Sequence, residues 1–311
     1  MNEIIKVDSL TKRFRNLTAV DGLSFHVEEG DVYGFLGQNG AGKSTTIRML
    51  LTLIKPSGGS IEIFGLDLHS NRKKILSQVG AIIEKPDVYQ YLTAFENLKI
   101  YAQMSGLKPS VSNILYHLEM VGLKDRAYDR VKEFSQGMKQ RLGIAVALIH
   151  NPALIILDEP TNGLDPQGIA DVRKLILRLS RDLKKTVVVS SHLLNEIQQI
   201  ATRLLIIDKG KSLVEGTTQE LFDPLQTILE LETENNHFTL NEIKMSFWAN
   251  SIQPQRGDSI LLKIDRGKIP DFNIWMVQQG IRLVSLQTRH SLEDYFLQLT
   301  SGKQHVDSFA N

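Results

Sequence analysis

The chain has 311 residues, 42% of them apolar, which is enough to bury a full core and to divide into two domains. Its 36 basic residues are balanced by 35 acidic ones, for a formal net charge of +1 with no long basic block. That balance argues against an electrostatic grip on nucleic acid or anionic lipid, so any nucleotide is held by a local site. The absence of cysteine excludes disulfides, zinc fingers and iron–sulfur clusters and suits a reducing compartment, with the cytoplasm as the expected location.

The first residues mix acidic, polar and apolar side chains, unlike a signal peptide, and no stretch reaches the roughly 18–20 apolar residues of a spanning helix. Membrane contact is therefore expected only through a partner. Residues 4–10, 23–28 and 61–64, the last preceded by Pro56, Ser57, Gly58 and Gly59, predict antiparallel strands with turn punctuation. Short apolar runs at 32–36, 153–157, 186–190 and 204–208 alternate with helix-length amphipathic stretches. That rhythm predicts an α/β domain on buried parallel strands over residues 1–220. Residues 93–105 and 111–121 carry helical periodicity, each opened by a Thr or Ser cap, and mark a helical subdomain at about 85–150.

The first chemistry-bearing segment is Gly37-Gln38-Asn39-Gly40-Ala41-Gly42-Lys43-Ser44, followed by Thr45. It leaves the predicted strand at 32–36 and opens a predicted helix at 45–53, the context a phosphate-binding P-loop requires. Its glycines let successive N–H groups and the helix start face phosphate oxygens, while Lys43 reaches the β and γ phosphates and Ser44 ligates magnesium. Further on, the run Leu154-Ile155-Ile156-Leu157 delivers Asp158 and Glu159 to the C-terminal end of a strand, where parallel sheets place ligands. Asp158 suits a magnesium ligand and Glu159 the base that orients and deprotonates water. Taken alone, an apolar run ending in Asp-Glu simply marks a strand end; it gains weight beside the P-loop.

Beyond Phe222-Asp223-Pro224 the character changes. The expected order is strand 228–233, helix 240–249, strand 251–255, strand 260–264, helix 269–279 and strand 282–287. This describes a small α+β domain of ferredoxin-like plan over 221–311, closed by a helix at 291–299 that Ser291, Glu293 and Asp294 would start.

With Phe134-Ser135-Gln136-Gly137-Met138-Lys139-Gln140-Arg141 added to these motifs, the chain resembles the ATP-binding cassette (ABC) ATPases. The resemblance implies ATP and Mg2+ as ligands and a second copy of the chain as partner. Each ATP would be sandwiched between one P-loop and Ser135, Gln136 and Gly137 of the other copy. It also implies adenine stacking on Phe14, where Tyr is more usual, site coupling through Asp165 in Thr161-Asn162-Gly163-Leu164-Asp165-Pro166, and a γ-phosphate switch at His192. As lone residues, Phe14 reads as core, the 161–166 segment as a turn and His192 as a structural strand end.

Two places depart from the family pattern. Glu84 stands where most cassette proteins carry a metal-sensing Gln, and Gln136 where relatives carry Leu or a small residue. A carboxylate at 84 can still ligate magnesium while adding negative charge near the triphosphate; the alternative is that Glu84 points to solvent. The run from Glu84 to Leu98, with Asn162–Pro166 and the ending Ser291–Phe296, is similar to the cassette subunits of bacterial bacitracin and lantibiotic exporters. That likeness implies separate transmembrane permease subunits, held by the helical segment at about 85–121, and a place on the inner face of the cell membrane. Export of another drug, a lipid or an ion is the alternative cargo. A soluble ribosome- or DNA-remodelling cassette is disfavoured by the single cassette and the lack of sustained heptads, and a switch without turnover would not need Glu159. Dimer stability, permease docking and regulation are the roles open to the 221–311 domain.

Overall fold

Glu3–Phe14 (β1) and Leu17–Glu28 (β2) pair antiparallel, and β1 also pairs with Gly58–Ile63 (β4), which is extended by Leu66–Asp67 (β5). The resulting sheet has the order β2-β1-β4-β5. Buried and exposed residues alternate along much of these strands, as expected of a sheet with one covered face.

The second sheet is built differently. Val32–Leu36 (β3), Leu154–Leu157 (β7) and Thr186–Ser191 (β8) are buried at every residue, which requires cover on both faces. They run parallel with Val79–Ile82 (β6) and Arg203–Asp208 (β9) in the order β10-β9-β3-β8-β7-β6, where Lys211–Thr217 (β10) closes one edge antiparallel. The helices Lys43–Leu50 (α1), Arg72–Leu76 (α2), Pro166–Arg181 (α6) and Leu194–Ile200 (α7) alternate with these strands. The core between the two sheets is partly aromatic: Phe25 of β2 meets Phe35 of β3 edge-on at 5.0 Å between ring centres, a favoured geometry for paired rings. Helix α1 ends at Leu50, short of the expected residue 53, because Thr52 adopts a left-handed backbone with φ +56°, which a helix cannot continue.

Between β6 and β7 the chain forms Ala94–Met104 (α3), Val111–Met120 (α4) and Gln136–Leu148 (α5). Thr93 and Glu96 make a reciprocal capping box, with Glu96 N–H donating to Thr93 Oγ1 at 3.1 Å and Thr93 N–H to Glu96 Oε2 at 2.8 Å. Ser110 caps α4 through Asn113 N–H. Each cap satisfies N–H groups that have no partner within the helix.

The computed structural model describes residues 2–221, 227–254 and 259–290. It divides into two units, Met1–Thr217 and Thr218–Asn311. In the second unit, after Thr218–Leu221 (α8), a three-stranded antiparallel sheet has Thr227–Thr233 (β11) between Ile260–Lys263 (β12) and Leu283–His290 (β13). The strand expected at 251–255 is reduced to one bridge, Ile252 to Leu262, on the outer side of β12. That position is the fourth place of a ferredoxin-like order.

The first helix of this unit, Asn236–Lys244 (α9), starts and ends earlier than the expected 240–249. Asn235 caps it by accepting from Phe238 N–H at 3.0 Å, and the chain then turns to bury Trp248. Trp248 packs edge-on at 5.2 Å against Phe272 of Ile269–Gln278 (α10). The helix expected at 291–299 and the 222–224 boundary lie outside the described residues. Phe272 is fully buried in this small core. Phe272→Ala is therefore expected to destabilise the unit by about 3–5 kcal/mol, readable as a low-denaturant transition separate from that of the first unit.

Candidate functional site

Strand β3 ends at Leu36 in the interior of its sheet, between β9 and β8, and the P-loop bridges it to α1. The loop is tied from behind: Gly210 N–H donates to Ala41 O at 2.8 Å and Gly37 N–H to Ser191 O at 3.4 Å. Gly42, at φ +112°, could not carry a side chain without placing it 2.7 Å from Ala19 O of β2, so the close approach of β2 demands glycine there. Gly37, Ala41 and Gly42 are buried, Gln38, Asn39 and Gly40 are exposed, and Ser44 and Thr45 are half-buried at the helix start.

Lys43 is only 4% exposed. Its ammonium donates to Gly37 O at 2.7 Å and Gln38 O at 3.2 Å, and lies 3.1 Å from Glu159 Oε1. The contact with Glu159 is one of charge, since Oε1 has no partner in hydrogen-bond geometry. The other carboxylate oxygen, Glu159 Oε2, is 2.8 Å from His192 Nδ1. At this spacing Nδ1 carries the proton that it donates to the carboxylate, which leaves Nε2 as the second ring nitrogen. Glu159 itself has φ +50°, a conformation costly for a residue with a side chain and characteristic of functional turns.

Asp158 is fully buried. Its Oδ1 accepts from Ser190 Oγ at 2.6 Å, and the same hydroxyl accepts from Glu159 N–H at 2.8 Å. Its Oδ2 is buried with no hydrogen-bond partner. A buried, unsatisfied carboxylate oxygen is the donor chemistry that a hard divalent cation takes, so Asp158 suits such an ion.

The structure thus gathers the P-loop, Lys43, Asp158, Glu159 and His192 into one cluster. Other expected site residues have different surroundings. Glu84, at φ +60° and 65% exposed on its side chain, pairs with Arg48 of α1. Its carboxylate is thus engaged by the Arg48 guanidinium and stands largely exposed. Phe14 is 43% exposed at the end of β1, with the Lys12 ammonium 4.8 Å from its ring centre. Ser135 caps α5 by accepting from Met138 N–H at 3.2 Å; Gln136 is exposed and Gly137 is buried facing Gly168 of α6. Asp165 caps α6 by accepting from Gly168 N–H at 3.0 Å. Ser190, Arg48 and Glu196 escape sequence reasoning. The one signal for the first was the pair of hydroxyls, Ser190 and Ser191, at a strand end before His192.

Residues 20–162 match the family model described as ABC transporter. The chain is 43% identical over 305 residues to the bacitracin transport ATP-binding protein BcrA of Bacillus licheniformis, covering 97% of this chain and 99% of that one. It is 40% identical over 212 residues to the lantibiotic transport ATP-binding protein SrtF of Streptococcus pyogenes, covering 68% of this chain and 90% of that one. Among solved structures, a dimeric ATP-binding cassette in a post-hydrolysis state with ADP and phosphate superposes with a TM-score of 0.62 at 25% identity, covering 69% of this chain and 98% of that one. A P-loop, a paired Asp158–Glu159 and a His192-bound carboxylate on this fold, with likeness along nearly the whole chain, place the protein in the ABC transporter family as an ATP-hydrolysing subunit.

Proposed function

We propose that the chain powers export of an amphipathic peptide antibiotic of the bacitracin or lantibiotic type, giving resistance or immunity. The observation that carries this reading is the likeness to a bacitracin transport ATP-binding protein across 97% of the chain, which takes in the second unit and not the nucleotide cassette alone.

In the proposed cycle two copies close on two ATP molecules, each between one P-loop and the α5 start of the other copy. Ser135, Gln136 and Gly137 there present a capping hydroxyl and first-turn N–H groups to a γ-phosphate. Phe14 offers its exposed face to adenine, and Asp165 fixes the start of α6 in the loop that links the two sites. Lys43 is shared between P-loop carbonyls and Glu159, so a triphosphate competes for its ammonium and releases Glu159 to take a proton from the attacking water. His192 holds that carboxylate through Nδ1. Asp158 and Ser44 would hold Mg2+, which when bound neutralises charge on the β and γ phosphates.

Among the described residues no helix is long and apolar enough to cross a membrane, so separate permease subunits are proposed to carry the translocation path. The chain then sits peripherally on the inner membrane face, its helical subdomain gripping the permeases while cassette closure reshapes the path.

The test is survival of a sensitive bacterium that expresses the chain with its permeases, challenged with bacitracin and a panel of lantibiotics, with Glu159→Gln as matched control. Protection that disappears in the control supports export of these peptides. Absence of protection with an assembled, hydrolysing complex overturns the cargo in favour of another drug, a lipid or an ion, and leaves the ATPase assignment intact.

A further inference from the structure

Besides the Glu159–His192 pair and the Ser190 hydroxyl, a further connection joins the same two loops. Glu196, on α7, offers one carboxylate oxygen, Oε2, to two hydroxyls: Thr161 Oγ1 donates to it at 2.6 Å and Ser191 Oγ at 3.2 Å. Thr161 stands two residues after Glu159, and Ser191 immediately before His192. The Ser191 hydroxyl also accepts from Leu193 N–H at 3.0 Å, so it fixes the backbone on both sides of His192. Thr161 and Glu196 are half-buried, in a recess that Ile169, Ile176, Ile197 and Ile200 line together with the charged Arg173. Hydrogen bonds to a carboxylate are charge-assisted and so stronger than those between neutral groups.

We propose that Glu196 is a positioning residue for hydrolysis: it clamps the loop after Glu159 to the loop before His192, holding the proposed base and its histidine partner at their 2.8 Å separation. The Ser190 hydroxyl and the Glu159–His192 contact join the two segments at residues 158 and 159. The Glu196 carboxylate joins them again beyond Glu159, at Thr161, and so restrains the loop that follows the base. The clamp also reaches the 161–166 loop, whose expected role is to couple two active sites, so it carries movement of that loop to His192.

The inference rests on Glu159 as the base. The experiment measures ATP turnover, KM and melting temperature of the full chain carrying Glu196→Ala, Glu196→Gln, Thr161→Val and the double Glu196→Ala/Thr161→Val substitution. Glu196→Ala is expected to lower kcat about tenfold, with KM for ATP within about twofold, since misplacing a catalytic group by a fraction of an ångström acts on the transition state. The double variant should lose no more than Glu196→Ala does, because both substitutions break one connection. Glu196→Gln, which keeps a carbonyl acceptor, should restore turnover to within about threefold of the parent.

Unchanged kcat in Glu196→Ala, additive losses in the double variant, or a loss confined to KM or to melting temperature would each overturn the clamp. Glu159→Gln measured alongside keeps the two claims apart. Retained turnover there removes the base assignment, whereas the Thr161–Glu196 cycle reads the clamp whichever group is the base.

Discussion

Glu159→Gln is expected to bind ATP and to turn it over about 10²- to 10⁴-fold more slowly, the usual contribution of a positioned general base. The amide is nearly isosteric and its oxygen can still accept from His192 Nδ1, so the loops need not move. What it loses is basicity toward water. It also removes a negative charge 3.1 Å from the Lys43 ammonium, which leaves that ammonium more available to phosphate, so affinity for ATP should hold or rise. Titration with a fluorescent ATP analogue and phosphate-release kinetics read the two consequences separately. Turnover within tenfold of the parent would remove Glu159 from the role of base.

Lys43→Met is expected to act on binding first. The ammonium is the buried cation of the P-loop, and its charge-assisted bonds to phosphate are each worth about 1.5–3 kcal/mol. Loss of affinity for ATP by about 100-fold follows, measurable by calorimetry with the magnesium complex of ATP. The substitution also leaves Glu159 Oε1, which has no hydrogen-bond partner, without its counter-charge, at a cost of about 1–3 kcal/mol in stability. Lys43→Arg makes the sharper control: it keeps the charge, but a planar guanidinium replaces a compact ammonium that fits between Gly37 O and Gln38 O. Recovery of full affinity by Arg would show that charge alone, and not the loop's shape, holds the phosphates.

Glu84 and Arg48 illustrate a different limit of sequence reasoning. The carboxylate of Glu84, just past the end of β6, is engaged by Arg48 on the P-loop helix. The pair spans 36 positions in the chain, so no local pattern announces it. In the second unit, the helix expected at 240–249 starts instead at Asn236, where Asn235 caps it, and ends at Lys244, beyond which Trp248 packs against Phe272 in the core.

What the sequence determined by itself is what short-range stereochemistry controls. Glycines after a five-residue apolar strand compel a phosphate-cradling turn, all-apolar runs demand a sheet covered on both faces, and Thr93 with Glu96 starts a helix wherever the chain lies. Tertiary structure alone decided which strand ends stand side by side. The parallel register sets Leu157 of β7 opposite Val189 of β8, and therefore brings Asp158 and Glu159 to Ser190, 31 residues from Glu159 along the chain. The Thr161–Glu196 clamp spans 35 residues and depends on the same juxtaposition. Hydrogen bonds of this kind are chosen by packing of the sheet against its helices, where a buried hydroxyl or carboxylate must find whatever partner the fold supplies.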